Sequence, residues 1–148
     1  MAESRKRKLP TVRLACFCDQ VIQGNDSVLT IVRIIDRVVI EFLIPEEVDV
    51  PKDLRIPYRV DMAIMLDEVT PWKGESVELW ARRPGGRFER FAELPLAPRD
   101  DGSFGDSANL ILKADLNARY AGLWEFELRL ENRRVLKRAL TLEHAAKE

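Results

Sequence analysis

Apolar and polar residues alternate along most of this chain, and this period of two limits the fold more than any other feature. Successive side chains of a β-strand point to opposite faces, so alternation indicates a strand with one face buried. The alternation is cleanest over residues 75–82 and 124–131. A helix would instead repeat its apolar residues every three or four positions. The sequence therefore predicts an all-β protein.

Turn signals divide the chain into short strands. The strands are predicted at residues 12–19, 28–42, 58–69, 75–82, 88–96, 108–116, 124–131 and from the following turn to about 142. Asp36 and Arg37 interrupt the β-branched segment 28–42, which is one bent strand or two. About eight or nine short strands with turns between them are typical of a sandwich or a barrel. We expect a two-sheet, immunoglobulin-like β-sandwich of about eight strands, with no helix longer than a turn.

The last two predicted strands form a hairpin whose register is chosen by matching apolar residues. Pairing Leu130 with Leu136 keeps apolar side chains opposite one another and implies a three-residue loop at 132–134. The same register places Arg138 opposite Leu128, an apolar position for which the pattern gives no reason.

Length and composition indicate one globular domain. The chain has 148 residues, of which 46% are apolar and 33% are charged, as in folded rather than disordered proteins. We assign residues 1–10 to a flexible basic tail, 11–143 to a single β-sandwich domain and 144–148 to a C-terminal tail. The formal net charge of −1 gives no general attraction to nucleic acid, which we do not expect as a partner.

The N-terminal tail carries a basic tetrad, Arg5-Lys6-Arg7-Lys8. Four charges on a flexible arm favour a solubilising role over weak, salt-sensitive binding to nucleic acid or anionic lipid. The tail lacks the apolar run of a signal peptide, and no stretch of about 20 apolar residues predicts a membrane span. We therefore expect a cytoplasmic protein whose two cysteines are reduced.

Two segments of the chain resemble a known group of proteins. The first is Leu14-Ala15-Cys16-Phe17-Cys18-Asp19, followed by residues 29–32 and 34–37. The second is the strand 121–128, in which a small residue and a glycine are followed, after one further residue, by an aromatic residue. Over positions 12–142 the chain resembles a bacterial family of small proteins described as a domain of unknown function. The resemblance implies a β-sandwich and brings no activity, cofactor or catalytic residue. Arg33 departs from it, because a small residue is expected there.

The residue types that most catalytic sites need are scarce. His144 is the only histidine and lies near the C-terminus, so we do not expect a Ser–His or Cys–His pair inside a structured site. Cys16 and Cys18 have no second pair to complete a tetrahedral zinc site, and we interpret them as buried thiols. We expect no enzyme activity, no metal and no cofactor. A hydrolase that uses a pair of acidic residues stays possible, but no sequence motif supports it.

Acidic residues cluster in the predicted loops. The clusters are Asn25-Asp26, Glu46-Glu47 with Asp49, and Asp100-Asp101 with Asp106. Calcium takes several oxygen ligands from loops, so a calcium- or lipid-dependent adaptor is the alternative function. None of the clusters has the ligand spacing of a known calcium loop, and solvated turn residues are the favoured interpretation.

Aromatic residues at positions that the core does not need suggest a binding surface. Trp80 and Arg82 alternate with the apolar residues of their strand, Phe17 lies opposite the cysteines, and Trp72 falls in a turn. Exposed aromatic residues are enriched at interfaces, although a loop or the other face of a sheet would equally well cover them. The sequence therefore predicts a non-catalytic protein-binding or scaffold module that uses a sheet face or an edge strand, with these four residues as candidates.

Overall fold

The chain folds into strands throughout the part that its computed structural model describes, which is residues 7–23, 29–41, 55–96 and 106–145. The strands are β1 (Thr11–Gln23), β2 (Leu29–Ile35), β3 (Arg37–Glu41), β4 (Pro57–Asp67), β5 (Ser76–Arg82), β6 (Phe88–Pro95), β7 (Ala108–Asn117), β8 (Gly122–Leu130) and β9 (Arg133–Ala145). The one helical turn in these ranges is a 3₁₀ turn at Thr70–Trp72. No helix among the described residues is long and apolar enough to cross a membrane.

The nine strands form two sheets. The four-stranded sheet has the order β2-β1-β4-β7, and the five-stranded sheet has the order β3-β9-β8-β5-β6. Neighbouring strands are antiparallel except for β3 and β9, which are parallel. The prediction of a two-sheet, all-β protein is confirmed.

The core lies between the inward faces of the two sheets. Its largest fully buried side chains include Met62, Ile64, Leu66, Leu79, Leu116, Phe126, Leu128, Leu130, Leu140 and Leu142. The alternation predicted for residues 77–81 and 124–130 is confirmed, because their apolar members are buried and face the other sheet. Removing this apolar surface from water is the main stabilising contribution to the fold.

From Leu14 onward, strand β1 faces the opposite way from the prediction, whereas Val12 lies on the core side as expected. Phe17 is 3% exposed and its ring centroid lies 4.8 Å from that of Phe126 in the other sheet. A register shift between Val12 and Leu14 brings Val12 and Phe17 to the core side, because an extra residue in one strand reverses the alternation. Cys16, one position before Phe17, therefore faces outward. Both faces of this segment are apolar, so the alternation alone could not choose between them.

The β8–β9 hairpin has a shorter turn than the register argument predicted. Glu131 and Asn132 have φ values of 48° and 62°, and Leu130 pairs with Arg133. Two consecutive residues with positive φ make a type I′ turn, whose twist matches that of the strands. The predicted three-residue loop is therefore wrong.

The corrected register explains Arg138, which lies opposite Phe126 rather than Leu128. Its side chain reaches across the gap between the sheets, and its Nε donates a hydrogen bond to the carbonyl oxygen of Ala15 at 3.2 Å. Arg138 thus joins β9 to β1 at the margin of the core.

Residues 7–10, which were assigned to a flexible tail, pack against the sandwich. The guanidinium of Arg7 lies 4.0 Å from the ring centroid of Trp72 and pairs with Glu131 at 2.7 Å. The carbonyl oxygen of Lys8 accepts a hydrogen bond from Nε1 of Trp72 at 2.7 Å. Arg7 and Lys8 therefore cover a buried indole, and Leu9 packs against the core. The first six residues lie outside the described part of the chain.

The C-terminal boundary also differs from the expectation. Strand β9 continues to Ala145, and His144 lies within it, paired with Ile40 of β3. Nε2 of His144 donates a hydrogen bond to the carbonyl oxygen of Ala118 at 2.6 Å. The first two residues of the predicted C-terminal tail, 144–145, therefore belong to the last strand.

Candidate functional site

Two of the four predicted partner-binding residues are in the core. Phe17 is 3% exposed and Trp72 is 0% exposed. Phe17 packs on the other sheet, and Trp72 folds under Arg7 at the end of the sandwich. The sequence left exposure and coverage equally open for these two aromatic residues, and in the structure both are covered.

Trp80 and Arg82 lie on the outer face of the five-stranded sheet, as predicted. The guanidinium of Arg129 covers the ring of Trp80 at 4.5 Å from its centroid, which leaves the indole half-buried. Arg82 pairs with Glu125 at 2.6 Å and lies over the ring of Phe88. A guanidinium over an aromatic face is attracted by the ring quadrupole, so these side chains are already engaged with one another. Their role in binding a partner stays a prediction.

The charges on this outer face are paired among themselves. Glu127, which is 9% exposed, pairs with Arg129 at 2.9 Å and with Arg134 at 3.7 Å. Glu125 also pairs with Lys137 at 3.2 Å, and the neighbouring Lys137 lowers the pKa of Glu125 most, with Arg82 adding to the effect. A partner on this face would have to displace or extend an existing ion-pair network, at a desolvation cost.

The two cysteines are unpaired, and they differ in their surroundings. Cys18 is buried, and its thiol donates a hydrogen bond to the carbonyl oxygen of Asp61 at 3.7 Å, whereas Cys16 is partly exposed. Burial raises the pKa of Cys18 to about 11 and also raises that of Cys16. Both are therefore thiols rather than reactive thiolates at neutral pH.

The acidic clusters fall largely outside the described residues, including those at 25–26, 46–49 and 100–101. Asp106, the described member, has its carboxylate engaged by the backbone N–H of Thr70 at 2.8 Å and by the Thr70 hydroxyl. Within the described ranges no three His, Cys, Asp or Glu side chains come together as a metal site would require.

The four edge strands of the sandwich make two contrasting sides. On one side, β2 runs directly into β3 through Asp36, so that the chain crosses from one sheet to the other. The backbone N–H of Thr141 donates to the carbonyl oxygen of Asp36 at 3.1 Å and fixes this crossing. We call this the closed side. On the other, open side, β6 and β7 are the edge strands, and a cleft lies between them.

The closed side carries a patch of exposed apolar side chains. Ile34 is 65% exposed, Ile22 is 45% exposed and Val32 is 39% exposed. The register of β1 with β2 places all three on one face, and we call them the edge patch. A shallow groove of about 420 Å³ runs beside it along residues 33–39 and Tyr58. Within the described residues, β2 pairs only with β1, so its outer edge is a free strand edge.

Arg33 interrupts the edge patch in an unusual backbone conformation. Its φ is 50°, in the left-handed region that favours glycine. Its guanidinium holds both oxygens of Asp19, with Nε at 2.5 Å from Oδ2 and Nη2 at 3.1 Å from Oδ1. This is the position where the family resemblance expects a small residue. The bidentate ion pair offsets part of the backbone strain.

The edge of β6 on the open side looks different. Arg90 pairs with Glu78 at 3.0 Å and with Glu93 at 3.5 Å, and the strand ends at Pro95. Charged side chains and a terminal proline discourage another strand from pairing. The edge of β6 is therefore protected in ways that β2 is not.

The open-side cleft has a volume of about 240 Å³. It is lined by Arg55, Ala81, Arg83, Arg87, Glu89, Phe91, Asp115, Asn117, Tyr120 and Trp124. Trp124 and Ala81 are buried and form its floor, while Phe91 is 37% exposed at its mouth. Arginine residues and aromatic rings thus share one concave site.

Sequence reasoning missed both sites on the two sides. The segment 28–42 predicted strands, but its apolar run gave no sign that the edge patch would be exposed. The arginine residues of the cleft carried no sequence signal that would bring them together, because they are separated along the chain. Both sites depend on which strands end at an edge, and that is set by pairing between distant segments.

Comparison of the chain with models of protein families, with curated proteins and with solved structures finds no match.

Proposed function

We propose that this protein is a non-catalytic binding module that receives an extended segment of a partner protein along the edge of β2. The observation that carries the proposal is the 65% exposure of Ile34 on an edge strand that has no second neighbour among the described residues. An edge strand presents backbone N–H and C=O groups that another extended segment can pair with. This mode takes its affinity from main-chain hydrogen bonds and its specificity from alternate side chains.

The chemistry of the edge patch determines the kind of segment that fits. Ile22, Val32 and Ile34 share one face, so a bound segment would place apolar side chains on that face and polar ones on the other. The nearest charges are already paired, since Arg33 is held by Asp19 and Arg37 pairs with Glu143 at 2.6 Å. The segment is therefore apolar on alternate positions rather than strongly charged.

The bend at Arg33 sets the length of the pairing. Residues 29–32 precede it as a regular stretch of strand that spans roughly 13 Å, at about 3.3 Å for each residue. A partner segment pairs along this stretch and then contacts Ile34 beyond the bend with its side chains. A short motif of about four to six residues satisfies this geometry.

Two other surfaces are weaker candidates for the same partner. The outer face with Trp80 has its charges paired, and its indole lies under Arg129. The edge of β6 carries the charged and proline residues that discourage pairing. The edge patch combines exposed apolar surface with a free strand edge, and this combination favours it.

We further propose that the sandwich is immunoglobulin-like, in agreement with the family resemblance over positions 12–142. The order β9-β8-β5-β6 corresponds to the G, F, C and C′ strands of such folds, and the pair β4–β7 corresponds to B and E. In this correspondence β1 is an additional strand inserted between β2 and β4. The proposal adds no activity, because fold alone does not specify function.

The experiment selects random peptides displayed on phage against the intact chain and measures the affinity of the selected sequences. The test variant is Ile34→Lys, and the matched control is Leu123→Lys, which places the same charge at a residue that is 51% exposed in the other sheet. We expect selected peptides to alternate apolar and polar residues. Ile34→Lys should weaken their binding by about tenfold or more, and Leu123→Lys should leave it unchanged.

Two results would overturn the proposal. Selected peptides that bind both variants equally well would show that the edge patch does not receive them. Self-association of the chain that Ile34→Lys abolishes, seen by sedimentation velocity, would show that a second copy occupies the edge instead. Melting of both variants verifies the fold, since both substitutions are at exposed positions.

A further inference from the structure

We propose that the open-side cleft binds a small phosphate monoester that carries an aromatic ring, which is the chemical class of a mononucleotide. The cleft lies on the opposite side of the sandwich from the edge patch, so this inference does not depend on the proposed protein-binding function. It rests on the arrangement of charge, aromatic surface and volume in one concave site.

The local structure fixes the cationic rim. Arg83 and Arg87 flank the β5–β6 turn, in which Gly86 donates its backbone N–H to the carbonyl oxygen of Arg83 at 2.9 Å. Gly85 has a φ of 74° and follows Pro84, as a type II turn requires. This tight turn holds the two arginine residues on the same end of the hairpin, and both line the cleft.

The arginine residues differ in what they contact. The guanidinium of Arg83 lies over the ring of Tyr120, 4.2 Å from its centroid. Arg55 and Arg87 are exposed and make no hydrogen bond or ion pair with any described residue, although the charge of Arg55 adds to the hydrogen bond from Arg59 in lowering the pKa of Asp115. These two exposed guanidinium groups lie beside that of Arg83, and together the three provide the forked donors that phosphate accepts.

The acidic residues of the cleft leave a cationic excess. Asp115 is held by Arg59, whose Nε lies 3.0 Å from Oδ1, so its charge is already matched. Glu89 is the second carboxylate and has an exposed side chain. It provides an acceptor for a hydroxyl or amino group of the ligand. A neighbouring shallow hollow, which shares Arg55 with the cleft, adds the cation of Lys113.

The aromatic residues provide a surface for a ring. Phe91 is 37% exposed at the mouth and its ring is perpendicular to that of Phe126 beneath it. The indole of Trp124 lies at the floor, fixed by a hydrogen bond from Nε1 to the carbonyl oxygen of Tyr120 at 2.9 Å. Stacking of a base on an aromatic side chain contributes substantially to binding and tolerates different bases.

The volume limits the size of the ligand. Sites for drug-sized ligands occupy roughly 300–1,000 Å³, and this cleft offers about 240 Å³. One ring with its phosphate fits with part of the ligand in solvent, whereas a dinucleotide exceeds the space. The proposed ligand is therefore a mononucleotide rather than a larger cofactor.

The experiment titrates the intact chain with adenosine 5′-monophosphate, adenosine and inorganic phosphate, with calorimetry and the NMR signal of the Trp124 indole N–H as readouts. The test variant is Arg87→Ala, and the control is Arg134→Ala, a similarly exposed arginine that pairs with Glu127 on the outer face of the five-stranded sheet. We expect the monophosphate to bind and to shift the Trp124 signal. Adenosine and inorganic phosphate should each bind at least about tenfold more weakly than the monophosphate. Arg87→Ala should weaken binding of the monophosphate by about tenfold.

Three results would overturn the proposal. The first is no binding of the monophosphate, and the second is binding of inorganic phosphate with equal affinity, which would reduce the site to a general anion site. The third is binding that Arg134→Ala weakens and Arg87→Ala does not. Both substitutions are at exposed positions, and thermal melting of each variant verifies that it is folded.

Discussion

On the closed side of the sandwich the chain itself passes from one sheet to the other at Asp36, whereas on the open side β6 and β7 lie over a cleft that side chains fill only in part. The closed side presents apolar surface, with Ile34 exposed by 65%. The open side presents charge, with Arg55 and Arg87 at the mouth of the cleft. The two sides of one small domain therefore offer surfaces of opposite chemistry.

The edge strands of the two sides differ in how well they are protected against pairing with another strand. Strand β6 is protected by Arg90, Glu93 and Pro95, and a peptide is not expected to pair with it. Strand β2 has one interruption, at Arg33, and its exposed side chains are apolar. The protected edge is why we propose the cleft as the binding site of the open side, and the free edge is why we propose β2 on the closed side.

The largest expected difference between the sides is in the free energy of unfolding that is lost when a packed phenylalanine is shortened. Phe17, on the closed-side sheet margin, and Phe91, on the open side, both contact Phe126. Phe17→Ala should cost about 3–5 kcal/mol because it leaves a cavity in a closed core. Phe91→Ala should cost about 1–2 kcal/mol because its ring is already partly in water. Urea unfolding of both variants measures the two costs, and equal costs would mean that the cleft is as tightly packed as the closed margin.

A second difference concerns how each side is tied together. On the open side, Oδ1 of Asn117 accepts hydrogen bonds from the backbone N–H of Ile56 at 3.1 Å and of Arg119 at 3.2 Å. Asn117→Ala leaves these donors without a partner and should cost about 1–3 kcal/mol. On the closed side the crossing uses the backbone oxygen of Asp36, so Asp36→Ala should change stability by less than about 0.5 kcal/mol. A larger loss from Asp36→Ala than from Asn117→Ala would reverse this interpretation.

The smallest effect is a change in proton affinity at the margin of the cleft. The hydrogen bond from Arg59 holds the pKa of Asp115 below its ordinary value. A carboxyl with a lowered pKa in the folded state stabilises the fold above its ordinary pKa, and the contribution disappears as the pH falls through the lowered value. Arg59→Ala should return the pKa of Asp115 towards its ordinary value in a carboxyl NMR titration. An unchanged titration would show that Arg59 does not neutralise this carboxylate.

Alternation predicted the strands well where one face is apolar and the other polar. In β5 and β8 the residues Leu79, Phe126 and Leu128 were placed on the core face, and they are buried. The same rule failed in β1 after Val12, because both faces are apolar and a register shift reverses the alternation. Residue type alone could not place Phe17.

Tertiary contacts account for the other differences between prediction and structure. Arg7 was part of a polar tail by composition, and it is held by Trp72 and Glu131, which are distant in sequence. A longer loop was expected at Glu131 and Asn132 because apolar residues were matched across the hairpin, and the turn lacks the glycine that marks most type I′ turns. The edge position of β2 depends on strand pairing between distant segments.

Amide hydrogen exchange, measured with and without a selected peptide, tests most directly whether β2 is the receiving edge. The comparison is between the amides of β2 (Leu29–Ile35) and those of β6 (Phe88–Pro95), the edge strand on the open side. New main-chain hydrogen bonds protect amides from exchange, so the peptide should slow exchange in β2 and leave β6 unchanged. Slower exchange in β6, or around Trp80 with no change in β2, would contradict the account.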